Sequence, residues 1–425
     1  MSRRGQSGFE SAAWCAAAAL LAGLTAACSD EGVRGETFVR DTLPDGTVVL
    51  RYPSLPIGEP LTTTPDLRIG SVDDDPNTAF GDVRGVDAAS DGTIFVLDYQ
   101  AAEVRAFGPD GAYLRTVVTE GEGPGEIREA NGFKLVGDSI LWIQDHGQWQ
   151  MIGVSPEGDE VERYPMPIRR YGYMWSGTID DRGRLWRTVG HVDEEPTFPP
   201  EPGLREYTSR GYVKWYDPSS ESSDSIFLGE ENGRTHISRN SAGGSTHRGI
   251  PHDPSAASVV DPAGGFWRAW TDAYRVARLD ETGDTVFVIE SAVEPLLVTG
   301  DDRSGYVEAG LEYDDGARAA LEEVAALMPE TKPVIEGLTV DDMGRLWVRR
   351  TVPTAEMPLF DVFDRQGMYQ GSVRFGFEPN AYLPMRFEGG NLYTFVRDEL
   401  DIQYVVRAPV PEGLGAVEAL ESAGR

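Results

Sequence analysis

The stretches DDRGRLW at 180–186 and DDMGRLW at 341–347 differ at one position in seven, although 161 residues separate their starts. Each joins an acidic, glycine-bearing turn to a short Arg-Leu-Trp run, which is the look of a hairpin entering its second strand. Four looser copies keep the same register: SDGTIFVLD at 90–98, VGDSILWIQD at 136–145, PAGGFWRAW at 262–270 and EGGNLYTFV at 388–396. Their aromatics are Phe95, Trp142, Trp186, Trp267, Trp347 and Tyr393, parted by 47, 44, 81, 80 and 46 residues. A second turn follows 19 to 23 residues after the first turn glycine, at Pro109-Asp110-Gly111, Pro156-Glu157-Gly158, Glu281-Thr282-Gly283 and Arg365-Gln366-Gly367. Two hairpins per unit make four antiparallel strands per unit. Units of that kind, repeated radially, are the blades of a β-propeller. The expected fold is therefore all-β: a six-bladed β-propeller of four-stranded antiparallel blades over 37–410.

The two long intervals call for insertions rather than extra blades. TVGHVDEEPTFPPEPGLREYTS after Trp186 is rich in proline and acid and reads as a loop before a strand at 211–217. After Trp267, the positions Val307, Leu311, Ala317, Leu321, Val324 and Met328 are spaced for a helix, with Asp315 as N-cap and Pro329 as stop. That predicts a helical insertion over about 303–330, between blades four and five. The segment FVRDTLPDGTVVLRYP at 38–53 is strand–turn–strand without a blade of its own. Pairing it into the sixth blade would cover an edge that otherwise invites aggregation.

The chain has 425 residues, with 70 acidic against 38 basic side chains and a formal charge of −32. So acidic a surface disfavours nucleic acid, whose binding depends on lysine and arginine neutralising phosphates. Both cysteines, Cys15 and Cys28, precede residue 29, so the body has no thiol nucleophile, disulfide or cysteine metal site. Arg3 and Arg4 followed by an apolar run to Ala27 read as a signal peptide over 1–27. Leu24-Thr25-Ala26-Ala27-Cys28 resembles a bacterial lipobox, which would make Cys28 the lipidated residue, 28–36 a linker and the membrane a partner through that lipid. Cleavage without lipidation is the plainer alternative. Residues 411–425 read as a tail, and the molecule as a monomer.

RAFGPDGAYLRTVVTEGEGPGEI at 105–127 and DELDIQYVVRAPV at 398–410 resemble the six-bladed NHL-type β-propeller lipoproteins of bacteria. The resemblance implies a scaffold anchored on the extracytoplasmic side of the envelope, at the outer membrane or periplasmic face. It brings no catalytic residues.

Chemistry is sparse. GEGPGE is not a phosphate loop, since neither Lys-Ser/Thr nor a helix follows. Asp73-Asp74-Asp75-Pro76-Asn77 lacks the ligand spacing of a calcium loop. His236, His247 and His252 fall within RTHISRNSAGGSTHRGIPH, either a solvated loop or a divalent-metal site with an open position. No other cofactor is expected. Ligands of propellers gather at a channel mouth, where the second-strand ends offer Asp98, Asp145, His146, Asp272, Arg350 and Arg397. Mixed charge there suits a polar ligand, a peptide or an envelope protein. The functional reading is a binding module, with a calcium-dependent lactonase-like hydrolase or a lyase as the alternative.

Overall fold

Each DxxGRLW stretch folds around its first aspartate. In the structure, a computed structural model, Asp180 Oδ1 accepts the backbone N–H of Arg182 (3.0 Å) and Arg184 (2.9 Å), and its Oδ2 accepts Arg184 Nε and Trp186 Nε1, both at 2.8 Å. Asp341 repeats the pattern with Met343 N (3.1 Å), Arg345 N (2.8 Å), Arg345 Nε (2.6 Å) and Trp347 Nε1 (2.9 Å). Gly183 and Gly344 sit at φ of +77° and +78°, a turn conformation that penalises any residue with a Cβ. One carboxylate closes the turn, holds the arginine and orients the indole, so the whole motif must recur together. The fourth sheet departs from it. There Gly265 replaces the arginine, Asp261 accepts Arg278 Nη2 at 3.1 Å, and the Trp267 indole N–H has no acceptor among the described residues.

The structure describes residues 38–71, 75–166, 177–180, 182–192, 200–239, 244–381 and 383–415. These form six sheets in chain order, with cores at 83–118, 130–165, 177–249, 256–291, 335–375 and 386–409. Each core is an antiparallel meander whose first strand lies at one edge: Val83–Ala88, Ala130–Val136, Gly177–Ile179, Ala256–Val260, Ile335–Val340 and Arg386–Glu388. The register aromatics join each sheet to the next. Phe95 packs with Phe133 of the second sheet, Trp142 with Ile179 of the third, and Trp186 with Phe266 of the fourth. Trp267 meets Ile335 of the fifth, Trp347 meets Phe387 of the sixth, and Tyr393 returns to Val83 of the first. The array is propeller-like, and burial of each such side chain is worth about 1.5–3 kcal/mol or more.

Closure differs from expectation. The hairpin Val39–Thr42/Val48–Tyr52 does not reach the sixth sheet; Val48–Tyr52 runs parallel to Thr285–Ser291 of the fourth. Leu61–Thr63 then pairs with Tyr369–Phe375 of the fifth sheet, and Leu67–Ile69 completes the sixth against Gln403–Pro409. Leu50 and Tyr52 are drawn into the apolar layer between sheets four and five, where Tyr52 Oη donates to Gly367 O at 2.8 Å. That burial outweighs any gain at the sixth edge, which three residues suffice to cover.

Two further expectations change in detail. The third sheet's long interval is largely strand: Gly203–Asp217 and Ser222–Arg239 form a hairpin of 15 and 18 residues. The strand expected at 211–217 thus begins at Gly203, and residues 193–199 lie outside the described ones. Between sheets four and five stand two helices, α1 (Gly300–Tyr313) and α2 (Arg318–Ala326). Thr299 and Asp302 form a capping box at α1. Asp314, at φ −150°, ends α1, and a 3-10 turn at Asp315–Ala317 leads into α2, so Asp315 caps no continuous helix. Leu321 and Val324 are buried as the spacing requires.

Candidate functional site

The second-strand ends are mostly structural. Asp98 accepts backbone N–H groups from Gly81 (3.0 Å), Asp82 (3.1 Å) and Gln100 (3.1 Å), tying the segment before the first sheet to the turn after its second strand. Asp145 does the same with Arg128 N (2.7 Å), Glu129 N (3.2 Å) and Gln148 N (3.1 Å). His146 is buried beside Gln144 and packs edge-on against Trp149 at 5.4 Å. In the fourth sheet the equivalent clasp is Thr271, whose Oγ1 accepts Ser255 N at 2.9 Å, while Asp272 points into solvent. Arg350 turns inward, donating to Leu55 O at 3.0 Å and lying 3.8 Å from Asp361. Burial pushes the Asp361 carboxyl up, against the opposing pull of Arg350, Ser372 and Tyr274. Arg397 pairs with exposed Asp401 at 2.8 Å. None of the six expected residues lines the cleft at this end: the Asp98 and Asp145 carboxylates accept backbone donors, and the strand pleat turns Arg350 inward.

A cleft of about 510 Å³ does open on this end, between sheets four and five and beside α1. Its charged walls are His252, Asp253, Asp302, Lys332, Glu336, Arg349, Glu356 and Glu378. Arg349, one residue before Arg350 and on the other strand face, reaches Glu336 and Glu378, each at 2.7 Å. Burial raises the Glu336 carboxyl above the usual glutamate range, and Arg349 opposes this only in part. Lys332 Nζ lies 2.6 Å from Asp302 Oδ1. Burial would raise Asp302 too, but Lys332 and the Thr299 N–H and hydroxyl hold it at about 2. His252 sits at φ +64°, a strained backbone for a residue with a side chain. Burial, then Lys332 and Arg303, lower its pKa against Asp302, so its imidazole is neutral at pH 7. The one legible hint of Arg349 was its place in a Val-Arg-Arg strand end; Lys332 and Glu378 lie outside every motif.

The histidines do not form a metal centre. His236 and His247 lie in strands, not a loop, paired with Arg248 and Ile237 respectively. Directly paired residues share a face and neighbours alternate, so the two imidazoles leave opposite faces of the sheet. His236 Nε2 instead meets Glu323 of α2 at 2.9 Å. Among the described residues no three His, Cys, Asp or Glu side chains gather as metal ligands, and no helix is long and apolar enough to cross a membrane. Cys28 and Asp73-Asp74 lie outside the described residues.

No family model and no curated protein matches the chain. Among solved structures it is similar to a DUF4221-family member from Bacteroides vulgatus, at 9% identity and a TM-score of 0.48, covering 81% of this chain and 97% of that one. It is also similar to a virginiamycin B lyase from Staphylococcus aureus (10%, TM-score 0.39, 81% and 98%). A gluconolactonase from Xanthomonas campestris gives 14%, a TM-score of 0.37, and 84% and 99%. At such identities and scores none of these bears on the ligand of this chain.

Proposed function

We propose that the chain is a six-bladed β-propeller binding module of the NHL type, with a helical insertion between blades four and five, held on the extracytoplasmic side of the bacterial envelope by lipid on Cys28. Its ligand is a polar molecule or peptide bearing a carboxylate, taken at the cleft between sheets four and five. The observation that carries this is the Arg349 guanidinium, two-pronged and half-sequestered, with Glu378 lying exposed against one prong. A guanidinium fork matches a carboxylate in two parallel hydrogen bonds, and the exposed Glu378 side chain is a placeholder that an incoming carboxylate can displace. Binding of short peptides with free or amidated C-termini tests it. Free peptides should bind, Arg349→Ala should abolish the difference between the two sets, and Glu378→Gln should strengthen the free ones. Equal binding of amidated peptides would overturn the reading.

The hydrolase or lyase alternative has one observation in its favour: neutral His252 and high-pKa Glu336 line the same cleft, as an acid–base pair would. Calcium-dependent lactone hydrolysis, lost in Glu336→Gln, would establish it.

A further inference from the structure

At the opposite end of the array, the inner strands enclose a second cavity of about 300 Å³, bordered by the turns that join first strands to second. Strand register fixes one level of the inner strands, and five of the six residues at that level line the cavity. Asp87, Lys134, Thr178, Val259, Thr339 and Arg386 lie directly across from Phe95, Trp142, Trp186, Trp267, Trp347 and Tyr393. At this level sheets three to five present small or apolar residues and sheets six and two present Arg386 and Lys134, while Asp87 of sheet one does not line the cavity; nearer the turns Asp180, Asp341, Asp342 and Arg365 join the lining.

The charges do not cancel. Asp87 is buried and already accepts Ala88 N (3.1 Å) and Leu135 N (2.9 Å), with Lys134 Nζ 3.4 Å away. Among the described residues the Arg386 guanidinium has no hydrogen bond, ion pair or ring partner. Glu388, two residues on and therefore on the same strand face, has no hydrogen-bond or ion-pair partner there either, while Phe387 between them is buried on the other face against Trp347. Elsewhere in the repeat, arginines near the first turn are clamped by carboxylates: Arg184 by Asp180 at 2.8 Å and Arg345 by Asp341 at 2.6 Å. Among the described residues the sixth sheet has no such clamp, and two opposite charges are left facing the cavity without joining each other. Half-buried charges that hold nothing cost desolvation with no return to the fold.

We propose that this cavity binds a small zwitterion of the free amino acid class, its carboxylate on Arg386 and its ammonium on Glu388. The direction follows from the field. At the inner level Asp87 offsets Lys134, and Arg386 leaves a net positive charge. At the outer level Glu388 stands near Asp342 and Asp138, and burial followed by those carboxylates pushes its pKa up, with Lys134 opposing. An ammonium group relieves that repulsion, and a carboxylate relieves the unpaired guanidinium. The volume lies at the bottom of the roughly 300–1,000 Å³ range of small-molecule sites, which restricts the ligand to a small one.

The test is calorimetric titration of the full chain with free amino acids from glycine to phenylalanine, beside propionate and ethylamine, which carry one half of the charge each. At least one amino acid should bind saturably and more tightly than either half. Arg386→Ala should weaken it by about 10–100-fold, the loss of one charged hydrogen-bonding partner. Glu388→Gln should weaken the amino acid but not propionate. Since neither side chain has a hydrogen-bond or ion-pair partner among the described residues, both variants should melt with the wild type, which separates lost binding from lost structure. Arg349→Ala, at the cleft on the other end, should change none of these affinities, so this site and the cleft stand or fall separately. Absence of saturable amino acid binding, propionate binding as tightly as the amino acid, or an unchanged affinity in Arg386→Ala would each overturn the proposal.

Discussion

Replacing Asp341 by alanine should be among the most damaging single changes available in this molecule. Its carboxylate is buried and accepts four donors, two from the turn backbone and one each from the Arg345 guanidinium and the Trp347 indole. Alanine leaves Arg345 as a largely buried, uncompensated charge, a loss of about 3–5 kcal/mol when one partner of such a pair is removed. The fully buried indole N–H is orphaned as well, for about 1–3 kcal/mol more. The two losses share one site and do not simply add, so about 4–6 kcal/mol is expected, against typical total stabilities of roughly 5–15 kcal/mol. Asp341→Asn keeps the volume and one acceptor oxygen but loses the charge, and should cost about half as much. Sheet four provides an internal reference, because Trp267 lives with an indole N–H that has no acceptor among the described residues. The severe part of the loss must therefore come from Arg345, and Asp341→Ala combined with Arg345→Leu should recover much of it. Urea denaturation followed by tryptophan fluorescence measures all three. A loss under about 1 kcal/mol in Asp341→Ala would refute the idea that this carboxylate organises the repeat.

Removing residues through Tyr52 should leave a folded molecule with an open edge on sheet four, whereas removing them through Ile69 should yield insoluble protein, as solubility and melting of the two truncations will show; equal behaviour would contradict closure by Leu67–Ile69. Asp302 titrates near 2, below the aspartate value of 3.8, so its contribution is full above about pH 4 and fades as pH falls toward 2. Asp302→Asn should accordingly destabilise at pH 6, with its difference from wild type shrinking steadily as pH falls from about 4 toward 2. Arg349→Ala should push the already raised Glu336 carboxyl higher still, readable by side-chain NMR titration. Cys28→Ala should release the protein from the membrane fraction, and full retention with a cleaved signal would remove the lipid anchor from the account.

What could be read from the chain alone is the local grammar. Gly-bearing turns, two-residue alternation and one aromatic per unit are encoded within a dozen neighbouring residues, so the hairpins, the six-fold recurrence and the inter-sheet role of Trp142, Trp186, Trp267 and Trp347 were legible. The helical spacing of Leu321 and Val324 was legible for the same reason. Partner choice was not. Any apolar strand satisfies an open edge, and only packing of Leu50 and Tyr52 between sheets four and five selects the edge that 48–52 covers, leaving the three residues Leu67–Ile69 to complete the sixth sheet. The site was hidden by the same rule at smaller scale. A strand reverses faces every residue, so Arg349 enters a cleft while Arg350 enters the interior, and the backbone bond that ends a strand falls on Thr271 while Asp272 faces water. Whether a carboxylate is spent on backbone donors, as at Asp98 and Asp145, or left unpaired, as at Glu388, depends on chain segments brought together from far apart, and only the tertiary structure brings them there.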